Sequence, residues 1–538
     1  MKKIYYFIFI ILFFVLLSCS KENNIYTDTD ISQSNDMYVV SSIADAIYLN
    51  PILATDSASS AVNSYIYNGL LKYDKNLNLV SDLAESYQVS NNGLEIKFNL
   101  KKNILWHDGE PFTVKDVKFT FDKLIDPNTR TPFSSDYLMV KEFKIIDDYS
   151  FVVIYEQPFA PILESWAIGI IPEHVFRNED INTSAYNRKP IGTGQYIFKK
   201  WVTDQKIVLE ANPNYYEGMP KIKVCLFRVI PDQSVQFLEL RTQTIDELSL
   251  TPDQWNAYDS FFKNYKKYRY PAFGFTFLGF NLEKQPYNNI KFRQAISYAI
   301  DKKDIINGVL FGMAESAQGI FPPQSWAYKK IEAYEYNPQK ALDILCSIGF
   351  SKSQNGVLLY QGKDFEITII TNQGNKIREL TAQIIQEQLK KIGLQVNIRI
   401  LEWSTFINQY VNKKNFDALI LGWNTAIDPD QFSLWHSSQC GQGQYNFMSY
   451  KNKEVDDLLI KARTTFDKNK RIECYYKIQD IMKEDPPCIF LYYPENLVCV
   501  HNRFKNVELA PAGIGWNFYQ WYVEKENIKY KNINVLVQ

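Results

Sequence analysis

The stretch from Phe365 to Leu421 constrains the fold more than any other part of the chain. Phe365, Ile367 and Ile369 alternate with polar residues, the period of a half-buried strand. Ile377, Leu380, Ile384 and Ile392 follow at helical spacing, and Gly393 stands where a helix C-cap belongs. Leu394, Val396, Ile398 and Ile400 alternate strictly. Ser404 is expected to cap a helix through Phe406, Ile407, Tyr410 and Val411, and Ala418 to Leu421 reads as a short buried strand. Strand–helix–strand–helix–strand is the pattern of an α/β sheet with crossover connections. Ligands of such sheets sit beyond the carboxyl ends of the strands. Those ends are Thr371 to Gly374 and Gly422 to Thr425, where a ligand is expected.

The remainder differs in character on either side of residue 285. Residues 38–280 read mostly as strands and turns. Leu94 to Leu100 alternates after the turn signal Asn91-Asn92-Gly93, and Ile197 to Trp201 and Ile207 to Leu209 flank Thr203-Asp204-Gln205 as an expected hairpin. Beyond it, Phe292, Ala295, Ile296, Ala299 and Ile300 mark one face of a helix, and Asp301 with Asp304 opens another. A length of 538 residues suggests about three units of about 150 residues each. No repeat of solenoid or propeller period is visible.

Composition removes several function classes. Lys and Arg number 59 against 60 Asp and Glu, so a chain-wide basic footprint for nucleic acid is absent. The 4 His are scattered and no Cys-x-x-Cys occurs, which argues against a dedicated zinc site or a disulfide framework. Cys225, Cys346, Cys440, Cys474, Cys488 and Cys499 are expected to be mostly buried thiols. No Gly-x-x-x-x-Gly-Lys loop is present, so the chain itself does not hydrolyse nucleotide.

The N-terminus carries an address. Lys2 and Lys3 precede an apolar run from Ile4 to Leu17, shorter than the ~20 residues of a spanning helix and suited to a secretory signal. The run ends Leu16-Leu17-Ser18-Cys19, which resembles the bacterial lipobox. Residues 1–18 are therefore read as a lipoprotein signal peptide, Cys19 as the lipidated residue and 19–37 as a flexible tether. The folded part would be exported and held at a membrane surface of the bacterial cell envelope.

Three motifs invite a chemical reading. His107-Asp108-Gly109-Glu110 places an imidazole beside acids, but Asp-Gly is a strong turn signal and the turn reading is preferred. His436 lies in Trp435-His436-Ser437-Ser438, without the Gly-x-Ser-x-Gly elbow of a serine hydrolase. Asp428-Pro429-Asp430 follows the Trp423 strand end. Its carboxylates could meet a cationic ligand group or cap the segment Gln431 to Trp435, and both readings stay open.

Ordered blocks along the chain resemble a known family. They are Leu83-Ala84-Glu85-Ser86-Tyr87, Trp106-His107-Asp108-Gly109-Glu110-Pro111-Phe112-Thr113, Pro190 to Tyr196, Asn212 to Tyr216, Leu278 to Asn281 with Arg293 to Asp301, and Phe416-Asp417-Ala418 with Gly422-Trp423 and Asp428-Pro429-Asp430. The chain resembles the family 5 extracellular solute-binding proteins, the oligopeptide- and dipeptide-binding receptors of ABC importers. The resemblance implies a mixed α/β, two-lobe periplasmic-binding-protein clamshell of type II-like form with an extra domain on the first lobe. By position, 38–80, 190–283 and 510–538 would form the first lobe, 81–189 the extra domain and 284–509 the second lobe.

It also implies a function without catalysis or cofactor. The lobes would close on an oligopeptide and deliver it to the transmembrane subunits of a permease whose ATPase subunits are separate proteins. The receptor is expected to be a monomer with no nucleic-acid partner. Ligand contacts carried over by position are Thr55, Asp56, Ser57 and Ala58, and Gly422, Trp423, Asn424 and Thr425. Many peptide binders of the family place an Asp three residues after that Trp for the ligand's amino terminus. Ala426 stands there, so Asp428 is the expected substitute. The rivals are an oligosaccharide or a chelated metal in the same fold, and a secreted hydrolase using Asp428 and Asp430.

Overall fold

The computed structural model describes residues 37–90, 92–257 and 260–530. The signal peptide, Cys19 and the tether to residue 36 lie outside the described residues, as do Asn91 of the expected turn and residues 531–538. Among the described residues no helix is long and apolar enough to cross a membrane.

The α/β pattern folds as its periodicity dictates. Glu366–Asn372 runs parallel to Gln395–Leu401 on one side and to Ala418–Asn424 on the other. The helix Lys376–Lys391 connects the first two strands, and Gly393 closes it at φ 94°, a left-handed conformation that favours glycine. The second connection departs from expectation. Glu402, not Ser404, caps it, accepting hydrogen bonds from the Ser404 and Thr405 amides at 2.7 and 2.8 Å. A three-residue helix, Trp403–Thr405, then widens into a π-helical turn, Phe406–Val411. The wider turn brings residues five apart onto one face, and Phe406 and Val411 are both buried.

One long strand, Cys488–His501, ties two halves of a twelve-stranded sheet together. Its first part pairs with Gly274–Phe280, which in turn pairs with Ala418–Asn424. Its last part, residues 495–501, pairs with Tyr265–Pro271 and with Glu247–Ser249. The latter leads through Met37–Ser42, Val224–Val229 and Lys206–Ala211 to Tyr196–Val202, the expected hairpin partner. The chain thus crosses between lobes at residues 271–274 and 493–495. The crossings precede the expected boundaries at 283/284 and 509/510. Hydrogen-bond partnership is the reason: Gly274–Phe280 is paired wholly within the second half, whereas Val498, Val500 and Phe504 pack in the core of the first.

Residues 84–155 add a four-stranded antiparallel sheet, in the order Ala84–Val89, Glu95–Leu100, Ser150–Tyr155, Val140–Asp147. The helix Val114–Ile125 follows the His107 turn and opens with a Thr113–Asp116 capping box. Phe98, Phe121, Phe151 and Trp166 form its core, which is continuous with Ile66, Leu70 and Leu83 of the first lobe. The extra domain is therefore seated on that lobe. The second lobe buries separate clusters around Phe277 and Trp435 and around Phe292 and Ile385. Of the six described cysteines, all free, Cys225, Cys474, Cys488 and Cys499 are buried, Cys440 is half-buried and Cys346 is exposed.

Candidate functional site

A cavity of about 550 Å³ lies between the lobes, within the range of ligand pockets. One wall is the strand Ala418–Asn424, which runs farther than its apolar part predicts. Residues 422–424 are paired residue for residue with 274–276. Gly274 permits this approach, since a Cβ there would stand 2.2 Å from the Trp423 carbonyl oxygen. On its other side, Glu366–Asn372 pairs with the strand only at Ala418 and Leu419. From Leu421 to Asn424 that edge has no strand partner among the described residues, and all four residues line the cavity.

Trp423 is half-buried within an aromatic wall. Tyr445 meets it edge-on at 5.2 Å and Phe447 lies at 5.7 Å, and both rings also line the cavity. The opposite wall is the start of the first-lobe helix Ser57–Ile66. Thr55, Asp56 and Ser57 line the cavity, as expected by position. Ala58 does not; it faces a smaller hollow with Val40 and Val62, because it follows the N-cap and the helix turns it away. Asp56 is that N-cap, accepting from the Ser59 amide at 2.9 Å and the Ser59 hydroxyl at 2.6 Å. Burial raises its pKa, and the Ser59 bonds pull the other way.

Asp428 is not part of the cavity lining. Its two oxygens accept from Arg471 at 2.9 and 2.6 Å, and a third bond comes from the Asp430 amide at 2.9 Å. This geometry gives the amine-anchor role expected of Asp428 no support, because its carboxylate is buried and already matched by a guanidinium. Asp430 does line the cavity, but Arg463 holds it at 2.5 Å. The next helix, Phe432–Trp435, has Gln431 at its N-cap position without a side-chain cap bond, and Asp430 Oδ1 accepts from its first amide, that of Phe432, at 3.3 Å. With both carboxylates bound to arginines, and one outside the cavity, the pair does not form the acid-and-base arrangement of a glycosidase.

The histidine motifs are structural. His107 Nδ1 accepts from the Gly192 amide at 3.2 Å, and Nε2 lies 3.0 Å from the Gly194 carbonyl oxygen, to which it can donate. Burial pushes its pKa down to about 4. Gly109, at φ 95°, forms the turn after it. His436 stacks on Phe432 at 4.0 Å and bonds Ser438 at 2.8 Å, while Ser437 is taken by Asp456.

Several cavity residues escaped the sequence reading. Arg378, in the first turn after the Thr371–Gly374 strand end, lines the cavity with Nη1 donating to Asn372 Oδ1 at 2.8 Å. Its place one turn into a helix behind a parallel strand was the available signal. Trp403 also lines the cavity, and its indole N–H donates to the Asp56 carboxylate, which lowers the Asp56 pKa against the effect of burial. Phe133 and Asp136 come from the extra domain, distant in sequence, and no local pattern marks them. A groove of about 1030 Å³ on the first lobe adjoins the cavity, and Ala54, Ser60 and Phe133 line both.

Comparison with known proteins agrees with this architecture. The profile of the bacterial extracellular solute-binding proteins, family 5 (middle region), matches residues 78–445. The oligopeptide-binding protein AppA of Bacillus subtilis (strain 168) is 34% identical over 507 residues, 92% of each chain. Its structure with a nonapeptide superposes with a TM-score of 0.88 at 32% identity, covering 92% of this chain and 100% of that one. NikZ from Campylobacter jejuni, in complex with Ni(L-His), gives a TM-score of 0.83 at 30% identity, covering 91% and 99%. DppA from Helicobacter pylori, in complex with the peptide STSA, gives 0.82 at 26% identity, covering 93% and 100%. The fold is the two-lobe clamshell of periplasmic binding proteins with an extra domain on the first lobe. This chain belongs to the family 5 bacterial extracellular solute-binding proteins.

Proposed function

We propose that the protein captures oligopeptides between its lobes and delivers them to an ABC permease, with ATP hydrolysed by separate subunits. The observation that carries this reading is the unpartnered strand edge from Leu421 to Asn424 along the cavity. An extended peptide presents the backbone N–H and C=O groups that such an edge lacks, and its side chains project into the adjoining space. Water in that space would let different side chains fit. AppA and the Helicobacter DppA, each solved with a peptide, support the ligand class.

On this reading Thr55, Asp56, Ser57 and Gly422 to Thr425 contact the ligand, and the protein binds without transforming it. The receptor acts as a monomer, exported and anchored through lipid on Cys19 at the cell membrane or facing the periplasm. Mass spectrometry of protein spanning residues 20–538, native and then denatured, tests the ligand class. A released set of short peptides is expected. A single sugar or metal chelate would overturn the peptide reading. If nothing is released, a melting screen against a peptide library decides the same question.

A second reading, an oligosaccharide, is favoured by one observation: Trp423, Tyr445 and Phe447 form an aromatic wall while Asp428 is withdrawn. Aromatic faces of this kind also suit sugar rings. Release of a glycan in the same experiment would establish it.

A further inference from the structure

We propose that Arg463 is a closure latch, and that the extra domain supplies the socket into which it locks. Arg463 ends the second-lobe helix Lys453–Arg463. Its side chain is 1% exposed, unusual for a residue so strongly hydrated. Two of its partners belong to its own lobe: Asp430 Oδ2 accepts from Nη2 at 2.5 Å and from Nε at 3.1 Å, and the Phe432 ring lies 4.1 Å from the guanidinium carbon.

The other partners come from the extra domain. Asp136 Oδ1 accepts from Nη2 at 2.8 Å, and the Ser135 carbonyl accepts from Nη1 at 3.3 Å. Phe159 covers the guanidinium from 5.2 Å, and the Ala160 amide donates to the Arg463 carbonyl at 2.7 Å. Half of the socket therefore leaves when the lobes part. Neighbouring contacts follow the same seam: Phe133 of the extra domain meets Tyr445 edge-on at 6.1 Å, and the Phe466 ring packs against Gly93.

The latch stands at the cavity wall. Asp136 and Asp430, from opposing bodies, both line the cavity and share the one guanidinium. Asp430 holds Arg463 in either state, whereas Asp136 reaches it only when the cleft is shut. One cation therefore bridges Asp136 and Asp430, and that bridge sets how firmly the extra domain holds the second lobe. This role is independent of whether the ligand is a peptide or a sugar. It makes the extra domain part of the closing mechanism and Arg463 a positioning residue for ligand retention.

The Ala160 amide reports the seam directly, because its acceptor lies on the other body. Hydrogen exchange followed by mass spectrometry on residues 20–538, freed of ligand by denaturation and refolding, tests the latch. Asp136→Ala is expected to speed exchange at Ala160 by roughly tenfold and to leave the Ser150–Tyr155 strand unchanged. Asp430→Asn is expected to speed it as well, because Arg463 then loses the charged partner that aims it at Asp136. Unchanged exchange in Asp136→Ala would overturn the proposal. If Asp136→Ala also loosens the Ser150–Tyr155 strand, Asp136→Asn replaces it in the same comparison, with the same outcomes deciding.

Discussion

Arg471 grips Asp428 through both carboxylate oxygens, at 2.9 and 2.6 Å, with each side chain 8% exposed. The same guanidinium donates to the Tyr475 hydroxyl at 3.0 Å. The pair belongs to the frame of the second lobe, behind the cavity. Asp428→Ala leaves a buried guanidinium unmatched, and removing one partner of a buried pair costs about 3–5 kcal/mol. We expect a loss of that size in denaturant unfolding. Selectivity between free and N-acetylated peptides, read by calorimetric titration, should stay as in the wild type. An altered preference at the amino end would return Asp428 to the binding site.

Trp423 presents part of its ring to the cavity and packs the rest on Tyr445 and Phe447. Truncating a central aromatic anchor removes about 2 kcal/mol of binding, roughly 30-fold in Kd. Trp423→Ala should show this loss in titrations with the ligand released from the wild-type protein. Its melting should fall far less than that of Asp428→Ala. Binding within about threefold of wild type would place the ligand away from Trp423.

Arg378 brings a positive charge to the cavity with Asn372 as its side-chain anchor. Burial pushes its pKa down, the mark of a cation short of compensation. A ligand carboxylate would supply it. We expect Arg378→Met to weaken binding of peptides with a free C-terminal carboxylate by roughly 10- to 100-fold, the range of a charged hydrogen bond. C-terminally amidated versions of the same peptides should change little. Equal losses for both sets would show that Arg378 serves the fold or the peptide backbone instead.

His107 is held neutral by burial, its pKa pushed down to about 4 from an ordinary 6.5. As the pH falls below 6.5 the unfolded chain takes up the proton first. The stabilisation is therefore complete above pH 6.5 and is lost progressively as the pH drops towards 4. Its size is about 3 kcal/mol. The difference in unfolding free energy between wild type and His107→Gln should shrink over that window. A difference independent of pH would mean that the imidazole is not neutral in the fold.

Much of the framework was legible from local pattern. Strict alternation placed Gln395–Leu401, helical spacing placed Lys376–Lys391, and Gly393 ended that helix. Period and capping are properties of neighbouring residues, so the chain alone determines them. Of the two strand ends expected to face a ligand, Gly422 to Thr425 lines the cavity and Thr371 to Gly374 does not. Local pattern failed where local choices are nearly equal. Ser404 and Glu402 are both able to cap, and the core's demand for Phe406 and Val411 on one face favoured the wider turn.

Charge pairing lay beyond the sequence altogether. Asp428 and Asp430 are two residues apart and alike in type, yet one is matched by Arg471 behind the cavity and the other by Arg463 at its wall. Which carboxylate keeps a charge for a ligand depends on where distant guanidinium groups arrive, and nothing near Asp428 encodes that. The same holds for Asp136, which reaches the cavity only because the extra domain is seated on the first lobe and faces the second. The sequence by itself determined the elements, their order and the strand end that forms one wall. The tertiary structure alone decided which charges meet, because a Coulomb interaction depends on distance in space and not on separation along the chain.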